Sequence, residues 1–358
     1  MERTFKLRIE EFWKKFQVKE LELYQMIQSQ DDPEAIMSRI QELLDVAFDS
    51  VYFELSLQDN KCEIILTPEG NRVKWILYYF WMKMAPAELS IRWNFYAAKP
   101  PVADPLPVSF NMYDIEVSDT DFEIYAEVNR SSSVIDLFVH APKFDSCTDQ
   151  QKYTILYVLL EHYLGEVNLM EYVGEITFIG KGEEEEGVQV DAMQLLSFLK
   201  NHIDKNKWLT IDKPTDCFST YSMDPVEEDT LDLREDVIAG NSSCIPVINE
   251  YYNDDPTAFR YAMENGALIG FFYYDNTRFT PQTSVAFREE MTEKLQDQIK
   301  DRYIADVIGG ATGLDYSYLD VIVYDFDAFR PIAKELLENY DFDESGFSEF
   351  VRGGDIEL

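Results

Sequence analysis

The stretch YIADVIGGATGLDYSYLDVIVY, residues 303–324, decides the fold of the C-terminal part of this chain. It holds two segments rich in Val, Ile and Tyr, residue types that favour strands, and glycines lie between them. The pattern predicts strands at 303–309 and 316–324, joined as a hairpin. A phosphate-binding loop at GGATG, 309–313, is disfavoured, because such a loop leads into a helix and the next residues have the pattern of a strand.

Periodic segments on both sides of this hairpin extend the pattern. Phe287, Met291, Leu295 and Ile299 recur every four residues and predict a helix at 284–300. The other predicted elements are a strand at 268–274, a helix at 328–340 and a short strand at 347–351. The resulting order is β-α-β-β-α-β, so the sequence predicts a ferredoxin-like domain within residues 217–358.

The N-terminal part, residues 1–205, is predicted to form a second domain. Two helices begin it, and four further segments follow at 51–57, 61–66, 71–84 and 91–97. The first, second and fourth have the pattern of strands. The third contains WILYYFWM, which is apolar on every side, so periodicity leaves both helix and strand open. As a helix, it would be either deeply buried or an interface.

The same order of elements returns after the proline-rich connector KPPVADPLP, residues 99–107. The predicted elements there are strands at 121–129 and 133–139, a helix at 149–164 and a strand at 174–180. Two ββαβ-like units in one domain indicate an internal duplication. Polar, turn-rich residues at 206–216 predict a linker between the two domains. The predicted fold class of the chain is α+β.

The net charge of the chain limits the classes of molecule that it can bind directly. It carries 68 Asp and Glu against 31 Lys and Arg over 358 residues, a formal net charge of −37. Phosphate binding requires a basic surface, so this charge disfavours nucleic acid and anionic membranes as direct partners. Hydrophobic residues make up 46% of the sequence, enough to bury a sizeable core and to argue against general disorder.

Targeting signals and cysteine pairs are missing from the sequence. The longest apolar run, Trp75 to Met82, is far shorter than the ~20 residues of a membrane-spanning helix. The N-terminus MERTFKLRIEEFWKKF lacks the apolar core of a secretory signal. The four cysteines are widely separated and form no CxxC pair, so neither a disulfide framework nor a thiolate metal site is predicted. A cytoplasmic location is expected.

Catalytic and metal-binding signals are weak. Asp315, Asp320, Asp325 and Asp327 form the densest carboxylate group in a predicted strand region, and two-metal hydrolases assemble their ions from such side chains. Strand alternation places Asp320 and Asp325 on opposite faces, however, and Asp327 fits the N-cap of the next helix. The three histidines have no ligand spacing. The sequence therefore predicts no catalytic residue, cofactor or metal.

The strongest candidate surface is the acidic stretch MDPVEEDTLDLRED, residues 223–236. A dense run of carboxylates can steer a cationic protein toward it, since complementary charge speeds encounter. A specific complex also needs a desolvated aromatic or aliphatic anchor. The predicted partner-binding residues are Asp224, Glu227, Glu228, Asp229, Asp232, Glu235 and Asp236.

Four motifs give the chain a resemblance to known bacterial proteins. They are the helix motif FWxxF at 12–16, APAELSIRWNFYAAKPP at 85–101, YTILYVLLEHYLGE at 153–166 and ATGLDYSYLDVIVYD at 311–325. Together they are similar to a bacterial protein family of unknown function over most of the chain. The C-terminal part, by its acidity and its element order, also resembles the ribonuclease E regulator B type of domain, which implies an acidic inhibitor of an RNA-cleaving enzyme.

These observations favour a non-enzymatic, cytosolic protein that binds a protein with a basic surface. In its narrower form the hypothesis is an inhibitor or immunity factor for a basic, nucleic-acid-processing enzyme, whose cationic groove an acidic surface would occupy. Two alternatives stay open: a metal-assisted hydrolase that uses the 315–327 region, and a structural or assembly subunit with residues 75–82 at its interface. A homo-oligomer is compatible with the sequence.

Overall fold

A computed structural model describes residues 3–180, 187–226 and 232–358. Helices and mostly antiparallel sheets alternate along the chain, and the predicted α+β class is confirmed. Within the described ranges, no helix is long and apolar enough to cross a membrane.

Residues 3–96 form three α-helices and a small sheet. The elements are α1 (Phe5–Gln28), α2 (Pro33–Ala47), β1 (Phe53–Gln58), β2 (Lys61–Leu66), α3 (Arg72–Lys83) and β3 (Trp93–Tyr96). The strands lie in the order β1-β2-β3. Helix α2 begins where the sequence predicts, because Pro33 occupies its first turn and the Asp32 carboxylate accepts a hydrogen bond from the Glu34 amide at 3.3 Å.

The apolar segment that periodicity left open is the helix α3. The Asn71 side chain caps it by accepting a hydrogen bond from the Lys74 amide at 3.0 Å. Its rings pack inward, where Trp81 stacks on Trp13 with centroids 5.2 Å apart and Phe80 lies 4.1 Å from Tyr324. Nearly all side chains from Trp75 to Trp81 are buried. The segment therefore does not form the exposed interface that the assembly-subunit hypothesis requires.

The central part of the chain has its own core. Its elements are β4 (Ser109–Met112), β5 (Ile115–Ser118), β6 (Glu123–Asn129), β7 (Val134–His140), α4 (Asp149–Leu164), α5 (Glu166–Tyr172), β8 (Val173–Phe178), β9 (Val188–Gln189) and α6 (Leu195–Asn206). Four strands form a sheet in the order β8-β7-β6-β9. The capping box of Thr148 and Gln151 begins α4 as expected, and Leu156 and Leu160 of this helix enter the core.

The first of the two ββαβ-like segments has the predicted element order, and the second has it with the additional helix α5 between α4 and β8. In each sheet the three strands of the unit also lie in chain order, β1-β2-β3 and β6-β7-β8. The hairpin of β4 and β5 and the helix α5 were not predicted. The internal duplication itself stays a prediction.

The C-terminal part is built on a seven-stranded sheet. Its elements are β10 (Ser219–Ser222), β11 (Val237–Ser242), α7 (Ile245–Asn253), α8 (Thr257–Glu264), β12 (Leu268–Asp275), α9 (Pro281–Ile299), β13 (Ala305–Gly313), β14 (Tyr316–Val323), α10 (Phe326–Glu338), β15 (Ser345–Glu349) and β16 (Asp355–Ile356). The sheet order is β10-β11-β13-β14-β12-β15-β16. From β12 to β15 the elements follow the predicted β-α-β-β-α-β order, and GGATG lies at the end of β13, before a two-residue turn into β14.

The chain divides into two compact units whose limits differ from the predicted domains. One unit contains Met1–Ile64, Asn71–Phe95 and Lys213–Leu358, and the other contains Ile65–Gly70 and Tyr96–Asp212. Residues from both ends share the first unit because α1 begins on the C-terminal part. There the Phe5 amide donates to the Gly266 carbonyl at 2.8 Å and the Lys6 amide to the Tyr324 carbonyl at 2.9 Å. The predicted linker at 206–216 contains one passage between the units, at 212–213.

The second unit contains a buried carboxylate that ties three segments of its chain. Glu166, only 3% exposed, accepts hydrogen bonds from the Lys99 amide at 2.7 Å and the Glu69 amide at 3.1 Å. Burial raises the pKa of the Glu166 carboxyl from 4.5 to about 7, against the lowering effect of these two donors. The folded state therefore prefers the protonated form more strongly than the unfolded chain does.

The stability of the second unit should consequently depend on pH through Glu166. Its contribution is fully present below pH 4.5 and is lost as the pH rises through about 7. Between these pH values the loss of the Glu166 proton should lower the free energy of unfolding by on the order of 3 kcal/mol. In Glu166→Gln this part of the decrease should be absent. Urea unfolding at several pH values measures the slope, and Glu123→Gln, an exposed position in the same unit, is the control. Equal slopes for both variants would show that Glu166 titrates normally.

Candidate functional site

The described residues of the acidic stretch extend the β10–β11 pair at one end of the seven-stranded sheet. Beyond β10 and β11, the Met223 amide donates to the Ile238 carbonyl at 2.9 Å and the Val226 amide to the Glu235 carbonyl at 3.0 Å. We call residues 223–226 and 232–238 the acidic hairpin. Glu227, Glu228 and Asp229, three of the predicted partner-binding residues, lie outside the described part of the chain.

The four described carboxylates of the stretch have different surroundings. Asp224 and Asp232 are exposed. Glu235 is half-buried and accepts a hydrogen bond from Arg352 at 2.8 Å, and the same guanidinium lies 3.5 Å from Asp232. Asp236 is only 3% exposed, so it does not belong to an outer binding surface as the sequence predicted.

Asp236 instead holds the hairpin against the sheet. Its Oδ2 accepts from the amides of Asp315 at 3.0 Å and Tyr316 at 2.9 Å, and its Oδ1 accepts from the Tyr318 hydroxyl at 2.5 Å. A Cβ on Gly313 would lie 2.0 Å from this carboxylate, so glycine leaves the space that the contact needs. Burial, together with the Asp236 charge, raises the pKa of Tyr318 well above its usual value, so the phenol stays a donor.

Arg234, in the middle of the acidic hairpin, points into the protein and is fully buried. Its Nη1 lies 2.6 Å from Oδ1 of Asp320 on β14, which is also fully buried. A second nitrogen donates to the Tyr221 hydroxyl at 2.9 Å. Aromatic rings enclose the guanidinium, with centroids 4.6 Å away for Phe350 and 5.0 Å for Phe271. This ion pair joins the hairpin to the centre of the sheet.

The metal-centre alternative finds no support at 315–327. Asp320 is paired with Arg234, and Asp325 caps α10 by accepting from the Ala328 amide at 3.2 Å. Asp325 therefore occupies the N-cap position predicted for Asp327, which lies two residues later in the first turn of the helix and is exposed. Within residues 3–180, 187–226 and 232–358, no group of three or more His, Cys, Asp or Glu side chains is placed to hold a metal ion.

A groove of about 610 Å³ adjoins the acidic hairpin. Strands β10, β11 and β13 and helix α9 supply its walls. Three apolar side chains in the lining are unusually open: Ile238 is 41%, Val285 39% and Leu314 42% exposed. We call this feature the apolar groove. The Ile238 carbonyl also accepts a hydrogen bond from the amide of Met223, the neighbour of Asp224 in the acidic hairpin.

Arg288 crosses the apolar groove from α9. Its Nη1 donates to Thr312 Oγ1 at 2.9 Å, and its stem passes over Gly310, where a Cβ would lie 2.9 Å from the arginine Cδ. The glycines of GGATG thus make room for Arg288 and for Asp236. They serve packing in a strand rather than anion binding.

Strand β10 leaves the outer edge of the sheet open. Within the described residues it pairs only with β11. Ser219, Thr220 and Ser222 are exposed, and the flanking Phe218 and Val226 are 44% and 43% exposed. An open edge presents unpaired backbone groups that can bind an extended segment of another protein.

Three features that could bind a protein thus occur at the same end of the sheet. The acidic hairpin attracts positive charge, the apolar groove offers an anchor, and the open edge offers backbone hydrogen bonds. Comparison with protein-family models, curated proteins and solved structures finds no match for this chain. The function is therefore argued from this geometry.

Breaking the buried ion pair should strongly destabilise the first unit. Arg234→Met leaves the Asp320 carboxylate buried without a partner, which costs about 3–5 kcal/mol. Replacing both residues, as Arg234→Met with Asp320→Leu, removes both charges and should recover most of that loss. Urea unfolding followed by circular dichroism measures both variants. A single variant within about 1 kcal/mol of the native protein would show that the pair behaves like an exposed one.

Proposed function

We propose that this protein is a non-enzymatic, acidic protein that binds a basic partner through the acidic hairpin and the apolar groove. The observation that carries the proposal is that Ile238, which lines the apolar groove, pairs through its carbonyl with the amide of Met223 in the acidic hairpin. Asp224, next to Met223, supplies exposed negative charge near Ile238, and Asp232 adds a second exposed carboxylate to the hairpin of a chain of net charge −37.

The acidic hairpin and the apolar groove would contribute to binding in different ways because their chemistry differs. Exposed carboxylates attract a cationic protein over a distance of ~8 Å at physiological salt, which speeds encounter but gives little specificity. Burial of Ile238, Val285 and Leu314 would supply a desolvated centre, the part of an interface that contributes most affinity. The occupant that fits both is an extended segment of a basic protein, with apolar side chains in the groove and Lys or Arg beside the hairpin.

In its narrower form, the proposal is inhibition of a basic, nucleic-acid-processing enzyme in the cytoplasm, because an acidic surface can occupy a cationic substrate groove. We also infer that β12 to β15 with α9 and α10 form a ferredoxin-like fold. Their β-α-β-β-α-β order supports this, as does their place in one antiparallel sheet.

Affinity capture from native cytosol with matched variants tests the proposal. One variant removes exposed charge from the hairpin, Asp224→Asn with Asp232→Asn, and a second places a charge in the groove, Ile238→Asp. The control for the first is Asp327→Asn with Glu338→Gln, two exposed positions on α10. A partner captured by the native protein and the control at low salt should be lost with Ile238→Asp and should associate at least about tenfold more slowly with the hairpin variant.

Two results would contradict this function. One is a captured partner whose association rate depends neither on salt nor on Asp224 and Asp232. The other is an unchanged set of captured proteins with Ile238→Asp, which would place the binding surface elsewhere.

A further inference from the structure

A second cavity of the first unit, of about 630 Å³, lies apart from the acidic hairpin. The end of α3, residues 213–218, the last turns of α9 and the start of β13 line it. The volume lies within the range of small-molecule sites. Unlike the apolar groove, this cavity combines charged groups of both signs with aromatic rings.

Asp306 is the central acidic group of the cavity. Its carboxylate accepts a hydrogen bond from the hydroxyl of the fully buried Tyr324 at 2.9 Å. The side chain is open to solvent through the mouth of the cavity, yet the surrounding walls desolvate the carboxyl and raise its pKa. The charges of Lys83 and Lys213 act in the opposite direction. One oxygen of Asp306 is thus fixed by Tyr324, and the group faces cations across the cavity.

Lys83 is the basic group best placed for a ligand. Its Nζ lies 5.7 Å from the ring centroid of Tyr303, and no carboxylate of the described residues lies within ion-pair distance of it. Lys213, in contrast, is held by Asp216 at 3.3 Å. An ammonium that only an aromatic ring contacts can accept the carboxylate of a bound molecule without breaking an existing pair.

Aromatic rings at the mouth complete the cavity. Phe218 is 44% and Tyr303 36% exposed, although rings of this size are usually more deeply buried in a core. Exposed rings in a cavity wall offer stacking and edge contacts to a planar apolar group.

The charges of the lining decide which ligand fits. Four carboxylates and three lysines line the cavity. An anion alone would leave Asp306 desolvated and would approach four negative groups, whereas a cation alone would face three lysines. A molecule that carries both charges satisfies both signs and avoids the cost of a partly desolvated, unpaired charge.

We propose that this cavity binds a small zwitterion with an aromatic side chain, of the class of aromatic α-amino acids. The ligand ammonium pairs with Asp306, its carboxylate pairs with Lys83, and its ring packs against Phe218 and Tyr303. The proposal does not rest on the proposed protein-binding function, although Phe218 also flanks the open edge of β10, and it would make the protein a sensor of such a ligand as well.

Titration calorimetry with three probes tests the charge requirement. L-phenylalanine carries both charges, phenethylamine carries only the ammonium, and phenylpropanoate carries only the carboxylate. We expect L-phenylalanine to bind at least about tenfold more tightly than either analogue. Absence of L-phenylalanine binding at millimolar concentration, or equally tight binding of one analogue, would overturn the proposal.

Two variants test the assigned contacts. Asp306→Asn should abolish the advantage of L-phenylalanine over phenylpropanoate, and Lys83→Met should abolish its advantage over phenethylamine. Asp306→Asn keeps an acceptor for the Tyr324 hydroxyl, so the fold should be retained. The controls Asp327→Asn and Lys334→Met make the same charge changes at exposed positions on α10. If the controls weaken binding as much as the cavity variants do, the contacts are wrongly assigned.

Discussion

The buried ion pair between Arg234 and Asp320 is the interaction on which the proposed binding surface depends. Both side chains are fully buried, so neither charge can be hydrated and each must be satisfied by the other. Removal of one partner is therefore far more costly than removal of both. Because Arg234 belongs to the acidic hairpin and Asp320 to the central strand β14, the pair fixes where the hairpin meets the sheet.

Several features follow from this attachment. Asp236, two residues after Arg234, reaches the turn between β13 and β14 and accepts three hydrogen bonds there. The next residues continue as β11, which brings Ile238 into the apolar groove. The buried contacts of Arg234 and Asp236 thus fix the segment that joins the exposed Asp232 to Ile238. An acidic run without such contacts would attract cations but would have no fixed relation to an anchor.

Patterns in consecutive residues predicted most helices and strands. They did not predict the contacts between residues that are far apart in the sequence. The capping box of α4 and the spacing in α9 are properties of consecutive residues, and both helices form as predicted. Helix α3 could not be distinguished from a strand, since burial on nearly all sides removes periodicity. The joining of α1 to Gly266 and Tyr324 uses backbone groups, which carry no side-chain signal in the sequence.

The candidate site was predicted only in part for a related reason. A run of carboxylates usually indicates a solvated segment, and Asp224 and Asp232 fit that expectation. Asp236 and Arg234 are buried and do not fit it. The sequence contained one signal of the buried ion pair, a single arginine inside the acidic run together with Asp320 in an otherwise apolar strand. A buried carboxylate in such a strand needs a cation or several hydrogen-bond donors, and the arginine inside the run can supply both. The exposure of Ile238, Val285 and Leu314 depends on which elements cover them, so no sequence pattern reveals it.

Amide hydrogen exchange in the native protein and in Arg234→Met tests the central claim most directly. The informative amides are those of Val226, which donates to Glu235, and Tyr316, which donates to Asp236. If the ion pair holds the hairpin, both should exchange at least about tenfold faster in the variant, whereas Leu160 in α4 of the other unit should keep its protection. Unchanged exchange at Val226 and Tyr316 would contradict the account, because the hairpin would then be held without Arg234.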